Sequence, residues 1–221
     1  MKIFVFTFLL SISIFGLKAQ SLETIDVDVL NYNREAARLN DKGYELLSEK
    51  KYKEAIPLFE KAIELDTENI TYFENLGLTY KKIADYPKML ANYQNAIKYF
   101  PEEPDLYYYC GDAQQEMQQF TEAIESYTKA IKVANDDDSV EYLYLYYFNR
   151  GNAYLKLKNN KNALDDYNRT IELEPYFHGA FNNRGFIKFN KQDKRGACDD
   201  WNKALELGNK KVGRYIVKYC Q

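Results

Sequence analysis

Five glycines at near-constant spacing constrain this chain more than any other feature: Gly43, Gly77, Gly111, Gly151 and Gly185, at intervals of 34, 34, 40 and 34 residues. Each sits in the same frame. Twelve residues on comes a small or flexible apolar residue (Ala55, Met89, Ala123, Ala163, Ala197), and sixteen on an aromatic (Phe59, Tyr93, Tyr127, Tyr167, Trp201). Nineteen on comes another small one (Ala62, Ala96, Ala130, Thr170, Ala204). A register held over five copies predicts stacked helical hairpins, an architecture that usually binds other molecules rather than transforming them.

Four residues before each glycine stands an apolar or aromatic side chain: Leu39, Phe73, Tyr107, Tyr147 and Phe181. Downstream, Ala55, Phe59, Ala62 and Ile63 share one helical face, as a buried stripe requires. The expectation is that the glycine lets the second helix come close, with alanines turned to the gap and the aromatic turned to the neighbouring repeat. Turns fall at Asp85 and Pro87, at Asn159 and Asn160, and at Gln192 and Asp193. Pro101 and Pro175 close their repeats. Pro57 sits early in a second helix, where most amides lack intrahelical partners.

The first nineteen residues form a separate object. Lys2 precedes an apolar run, Ile3 to Leu17, that is shorter than the roughly 20 residues of a membrane span. It suits a signal-peptide core with cleavage after Ala19, and an uncleaved anchor is the alternative. Residues 20–29 read as a linker and 30–221 as the repeat domain. At the far end Val212, Ile216 and Tyr219 make an apolar stripe that caps the last hydrophobic face of the stack. Of the three cysteines, Cys110 in the third repeat cannot reach the others in an array where each repeat touches only its neighbours. It reads as a small core residue. A turn near Gly208 and Asn209 sets Cys198 beside Cys220, and bridging that loop of about 22 residues stabilises by roughly 3 kcal/mol. Two unpaired thiols are the alternative.

Several function classes drop out. A net charge of -3 argues against nucleic-acid binding, which needs a basic face. The single histidine, His178, has no accompanying nucleophile motif, and one histidine cannot build a catalytic metal cluster. Asp136, Asp137 and Asp138 lack the alternating ligands and glycine of a calcium loop. Asp138 or Ser139 reads instead as the cap of the next helix, with Glu141 completing a capping box. Asp165, Asp166, Asp199 and Asp200 fall on positions assigned to solvent. No enzyme, cofactor or metal is expected.

The frame Phe73-x-x-Leu76-Gly77-x-x-Tyr80, followed by Met89, Tyr93, Ala96 and Pro101, resembles the tetratricopeptide repeat (TPR). So does Arg150-Gly151-x-x-Tyr154 with Ala163, Tyr167 and Pro175. The match spans repeats at about 36–69, 70–103, 104–137, 144–177 and 178–211, with a capping helix near 210–220. Gln114 and Lys188 replace the usual tyrosine, and Asn135 and Asn209 the terminal proline. The tail from Ala197-Cys198-Asp199-Asp200-Trp201 to Lys218-Tyr219-Cys220 resembles the endings of exported bacterial proteins with such repeats.

The resemblance implies an all-α, right-handed superhelical solenoid whose first helices line a concave groove. Its groove positions become Asn40 and Tyr44; Glu74, Asn75 and Leu78; Tyr108, Tyr109 and Asp112; Phe148, Asn149 and Asn152; and Asn182, Asn183 and Phe186. Asparagine both donates and accepts, so it can hold a peptide backbone, or else join neighbouring hairpins. Asp105 and Tyr109 stand where a carboxylate clamp needs cations, which excludes that clamp. Tyr108, Tyr109, Tyr144, Tyr146, Tyr147 and Phe148 cluster mid-array. Tyr107 and Tyr147 occupy packing positions, and whichever other rings are exposed suit peptide or sugar contact. The expected function is an exported adaptor, periplasmic or secreted, holding a protein segment. The competing reading is a carbohydrate-binding accessory protein. Neither nucleic acid nor a membrane span in the mature chain is expected.

Overall fold

The computed structural model describes residues 27–135 and 141–220. Among them are eleven α-helices and no strand. They are α1 (Val27–Ser48), α2 (Tyr52–Leu65), α3 (Ile70–Lys82), α4 (Tyr86–Ala96), α5 (Pro104–Glu116), α6 (Phe120–Val133), α7 (Leu143–Lys156), α8 (Asn160–Leu173), α9 (His178–Asn190), α10 (Lys194–Glu206) and α11 (Gly213–Tyr219). A 3-10 turn, Lys210–Val212, precedes the last. The signal-peptide reading and the Asp136–Ser139 segment lie outside the described residues. No described helix is long and apolar enough to cross a membrane. Two compact units divide between Thr79 and Tyr80.

Each helix that bears one of the five repeat glycines ends the same way. Seven residues after each of the five glycines stands a residue with positive φ: Lys50, Ala84, Gln118, Lys158 and Gln192. None of them is glycine, although this left-handed conformation favours it. The next amide folds back onto the helix just ended: Lys51 N donates to Leu46 O at 2.8 Å, Gln119 N to Gln114 O at 2.8 Å, and Asp193 N to Lys188 O at 3.0 Å. These six-to-one bonds satisfy carbonyls that the helix end would leave bare. The second helix is then capped by Asp85, Asn159 or Asp193, each accepting from the amide three residues on.

In the first unit α1 packs on α2, and Ala36, Ala62 and Tyr72 form a buried cluster with Leu39, Ile63 and Leu65 against it. In the second unit α4 packs on α5, after which each helix packs on the next through to α11. The closeness of the hairpins comes from ring against glycine, which corrects the sequence reading. A Cβ placed on Gly111 meets the Tyr127 ring at 2.5 Å, one on Gly151 the Tyr167 ring at 2.9 Å, and one on Gly185 the Trp201 ring at 2.7 Å. In these three hairpins, and in that of Gly43 and Phe59, the aromatic therefore lies on its own glycine. A flat ring needs a bare stretch of backbone, and alanine is too small to fill the gap alone.

Other expectations need adjusting. Helix α1 starts at Val27, so the end of the expected 20–29 linker is helical. Pro57 is inside α2, beyond the first turn, and costs one helical hydrogen bond there. Helix α7 starts at Leu143 with Tyr142 at its N-cap and Glu141 just before it, and the capping expected of Asp138 or Ser139 falls outside the described residues. At the C-terminus Val212 joins Trp201, Ala197, Ala204 and Phe181 in one buried cluster, covered by Tyr215, Ile216 and Tyr219. The Cα atoms of Cys198 and Cys220 lie 5.6 Å apart, a spacing that a bridge can span. Cys110 is buried, and burial pushes its thiol up to about 12.

Candidate functional site

The second unit carries an open cleft of about 810 Å³, walled by Gln115, Glu116, Gln118, Phe120, Asn152, Leu155, Lys156 and Asn183. These residues come from the C-terminal half of α5, the turn into α6, the C-terminal half of α7, and α9. Of the residues assigned to partner binding from sequence, Asn152 and Asn183 line it. The other six lining residues lie four to nine positions past their glycine, beyond the flanking positions that the resemblance supplied. Their common register, Gln115 with Leu155 and Glu116 with Lys156, was the available signal. It sets a neutral pair, and then an acid and a base, on successive first helices.

The asparagines and Asp112 form a continuous polar ladder. Asn149 Nδ2 donates to the Tyr108 hydroxyl at 2.9 Å and to Asp112 Oδ1 at 3.3 Å. Asp112 also receives the Tyr127 hydroxyl at 3.0 Å and Lys81 Nζ at 3.0 Å. One hairpin on, Asn183 Nδ2 donates to Asn152 Oδ1 at 2.8 Å, and the Tyr167 hydroxyl donates to the same oxygen at 2.9 Å. Asn152 Nδ2 reaches Asn149 Oδ1 at 3.4 Å, and Asn182 Nδ2 donates to Asn183 Oδ1 at 2.8 Å. The asparagine two before a glycine thus bonds the polar residue one after the preceding glycine. Burial, with Asp112 beside it, drives the Tyr108 phenol well above its ordinary range, so it stays neutral and accepts from Asn149.

Two buried carboxylates sit behind this ladder, correcting their assignment to solvent. Asp166 receives Arg150 through a two-pronged contact, Nε to Oδ2 at 2.9 Å and Nη2 to Oδ1 at 2.7 Å. Asp200 receives Arg184 identically, at 2.9 and 2.7 Å, and Lys188 Nζ lies 2.9 Å from its Oδ2. Each arginine also reaches the preceding second helix: Arg150 to Thr128 Oγ1 at 3.2 Å, Arg184 to Asn168 Oδ1 at 2.7 Å. Burial pushes the Asp166 carboxyl up, and the Arg150 guanidinium pulls against it. Asp165 and Asp199 are exposed, as expected.

Residues 144–177 match the tetratricopeptide repeat model, 43–83 a TPR repeat model and 104–137 another tetratricopeptide repeat model. The chain is a tetratricopeptide-repeat protein. It is 33% identical over 104 residues to the small glutamine-rich tetratricopeptide repeat-containing protein of Dictyostelium discoideum, a match covering 47% of this chain and 31% of that protein. The chain therefore spans about a third of that relative's length. Two solved TPR structures share its fold. MamA is 22% identical with a TM-score of 0.67, covering 77% of this chain and 96% of that one. YrrB, described as a TPR protein with an unusual peptide-binding site, is 21% identical with a TM-score of 0.66, covering 87% and 97%.

Within this TPR protein the mid-array rings are mostly committed to one another. Tyr146 is fully buried, and its hydroxyl donates to Asp105 at 2.5 Å. Tyr147 is buried too. Tyr108 stacks on Tyr146 at 5.1 Å, Tyr109 on Tyr93 at 4.9 Å, and Phe148 meets Phe177 edge-on at 4.7 Å. Tyr144 lies edge-on to Phe177, and Phe186 packs between Trp201 and Tyr215. Tyr108, Tyr109, Tyr144 and Phe148, each packed on another ring, are thereby half-buried. In the first unit Asn75 Nδ2 donates to Asn40 Oδ1 at 2.8 Å, with Asn40 buried and Tyr44 exposed.

Proposed function

We propose that the chain is an adaptor whose second unit holds an extended segment of a partner protein, and that it is not a catalyst. The observation that carries this reading is the cleft itself, a channel with four neutral amides, two apolar side chains, one acid and one base on its walls. Neutral amides donate and accept without demanding a charge, which suits a peptide main chain. YrrB, of like fold and described with a peptide-binding site, supports the same reading. Asn152 and Asn183 would contact the segment directly. Tyr108, Asp112 and Asn149 would hold the neighbouring helices in register.

Export belongs to the proposal. It rests on the apolar leader and on the placement of Cys198 beside Cys220, a bridge that persists in oxidising compartments. The intact mass of protein recovered from cells should correspond to a chain starting at Gln20 or Ser21; a chain starting at Met1 would sink this part. The adaptor reading is tested by a photo-crosslinking amino acid at Gln118, at the mouth of the cleft, with the same group at exposed Glu206 as control. Discrete protein adducts from Gln118, lost when Leu155→Arg fills the cleft, are expected. The same adducts from both positions, or persistence in the Leu155→Arg background, would overturn it.

A further inference from the structure

The Gln115 side chain carries the one buried polar atom of the cleft wall that the described residues leave without a partner. Its Oε1 is buried and has no hydrogen-bond partner among the described residues, whereas the neighbouring amides of Asn152 and Asn183 are engaged in the ladder. A buried carbonyl without a donor is costly, and native folds rarely leave one without a reason. Gln115 lies four residues past Gly111 on α5, and the same register on α7 holds Leu155 across the cleft. The terminal torsion of a glutamine is broad and roughly two-fold, so rotation of the amide can turn its oxygen to the open space.

Resting on the adaptor reading, we infer that Gln115 is the main-chain acceptor of the cleft, taking a backbone N–H from an extended partner segment that runs between Gln115 and Leu155. The donor is a neutral amide on chemical grounds. Glu116 and Lys156 stand on the same cleft, so the wall favours neither sign of charge, and a main-chain N–H meets a lone neutral carbonyl without desolvating an ion. Leu155 and Phe120 then take an apolar side chain of the segment, since successive side chains of an extended chain point to opposite sides. The cleft thus selects an extended, uncharged stretch with one apolar anchor.

The test starts from peptides selected out of a phage-displayed random library on the purified protein, resynthesised with each backbone amide N-methylated in turn. One position should weaken binding to the wild type by about tenfold when methylated, the loss of a single buried hydrogen bond. Gln115→Met should weaken the unmodified peptide by a similar factor and abolish the sensitivity to methylation at that position alone. Peptides that bind and compete with Leu155→Arg, yet show no methylation position coupled to Gln115, would overturn this inference and leave the adaptor reading standing. Failure to select any cleft-dependent peptide would overturn both. Gln115→Glu supplies the folding control: it retains an acceptor, so it should keep the methylation-sensitive position that Gln115→Met loses.

Discussion

Trp201→Ala is expected to destabilise the second unit by about 3–5 kcal/mol, the usual range for removing a large buried ring. Trp201 has no exposed surface and touches Phe186, Phe189, Tyr215 and Tyr219, so it joins the last hairpin to the helix that closes it. In a chain of this size the thermal midpoint should fall by on the order of 10 °C. The loss should begin at the C-terminal end, because stability in a repeat array is a sum over neighbouring interfaces. Trp201→Phe should be far milder. The indole Nε1 is buried without a partner, so phenylalanine removes an unpaired donor along with the lost area. Urea unfolding followed by hydrogen exchange in α9 to α11 checks both. A midpoint unchanged in Trp201→Ala, or equal losses in the two variants, would contradict the packing described.

The neighbouring repeats explain why tryptophan stands there. Tyr127 and Tyr167 each donate their hydroxyl to the residue one after their glycine, Asp112 or Asn152. In the last hairpin that position is Phe186, which offers a ring at 5.2 Å and no acceptor. A tyrosine there would bury a hydroxyl with nothing to receive it, so the ring-on-glycine device is kept and its polar tip is changed.

Asp166→Ala is the second large effect, expected to cost about 3 kcal/mol because it strands a largely buried guanidinium. Arg150 would keep Thr128 and its position over the Tyr147 ring, but neither is an anion. Replacing both members, Arg150→Leu with Asp166→Leu, should recover much of the loss, since well-packed apolar residues often match a buried ion pair. A double-mutant cycle by urea unfolding measures the coupling. Additive losses would show that the pair contributes nothing beyond its parts. The raised Asp166 carboxyl gives the pH dependence its sign. The proton binds the folded state more readily than the unfolded one, so this group's contribution is complete below the ordinary Asp range and declines as pH rises through the folded value.

The hairpins, their glycines and their closing helix were legible because packing repeats, and a repeat leaves the same residue type at the same offset. The ladder was half legible. Its asparagines stood out beside the glycines, but a single amide gives no hint whether it faces a ligand or the next hairpin. Asp166 and Asp200 were misread because a lone acid on a helix is a solvent residue by default. Each has an arginine sixteen positions earlier, and that recurrence carried the information. The left-handed turn residues Lys50, Ala84, Gln118, Lys158 and Gln192 have no shared chemistry, so their common conformation comes from the turn and not from side-chain type. The cleft was hidden for a related reason: Gln115, Phe120 and Leu155 belong to three helices and meet only once the hairpins stack.

The central claim is that the second unit's cleft, and no other surface, receives the partner segment. Amide hydrogen exchange of the protein with and without the crosslinked segment tests it most directly. Added protection confined to the C-terminal halves of α5 and α7, the first turn of α6, and the stretch of α9 around Asn183 is the predicted result. Protection that avoids these and falls instead on α11 or on α1 and α2 would contradict it.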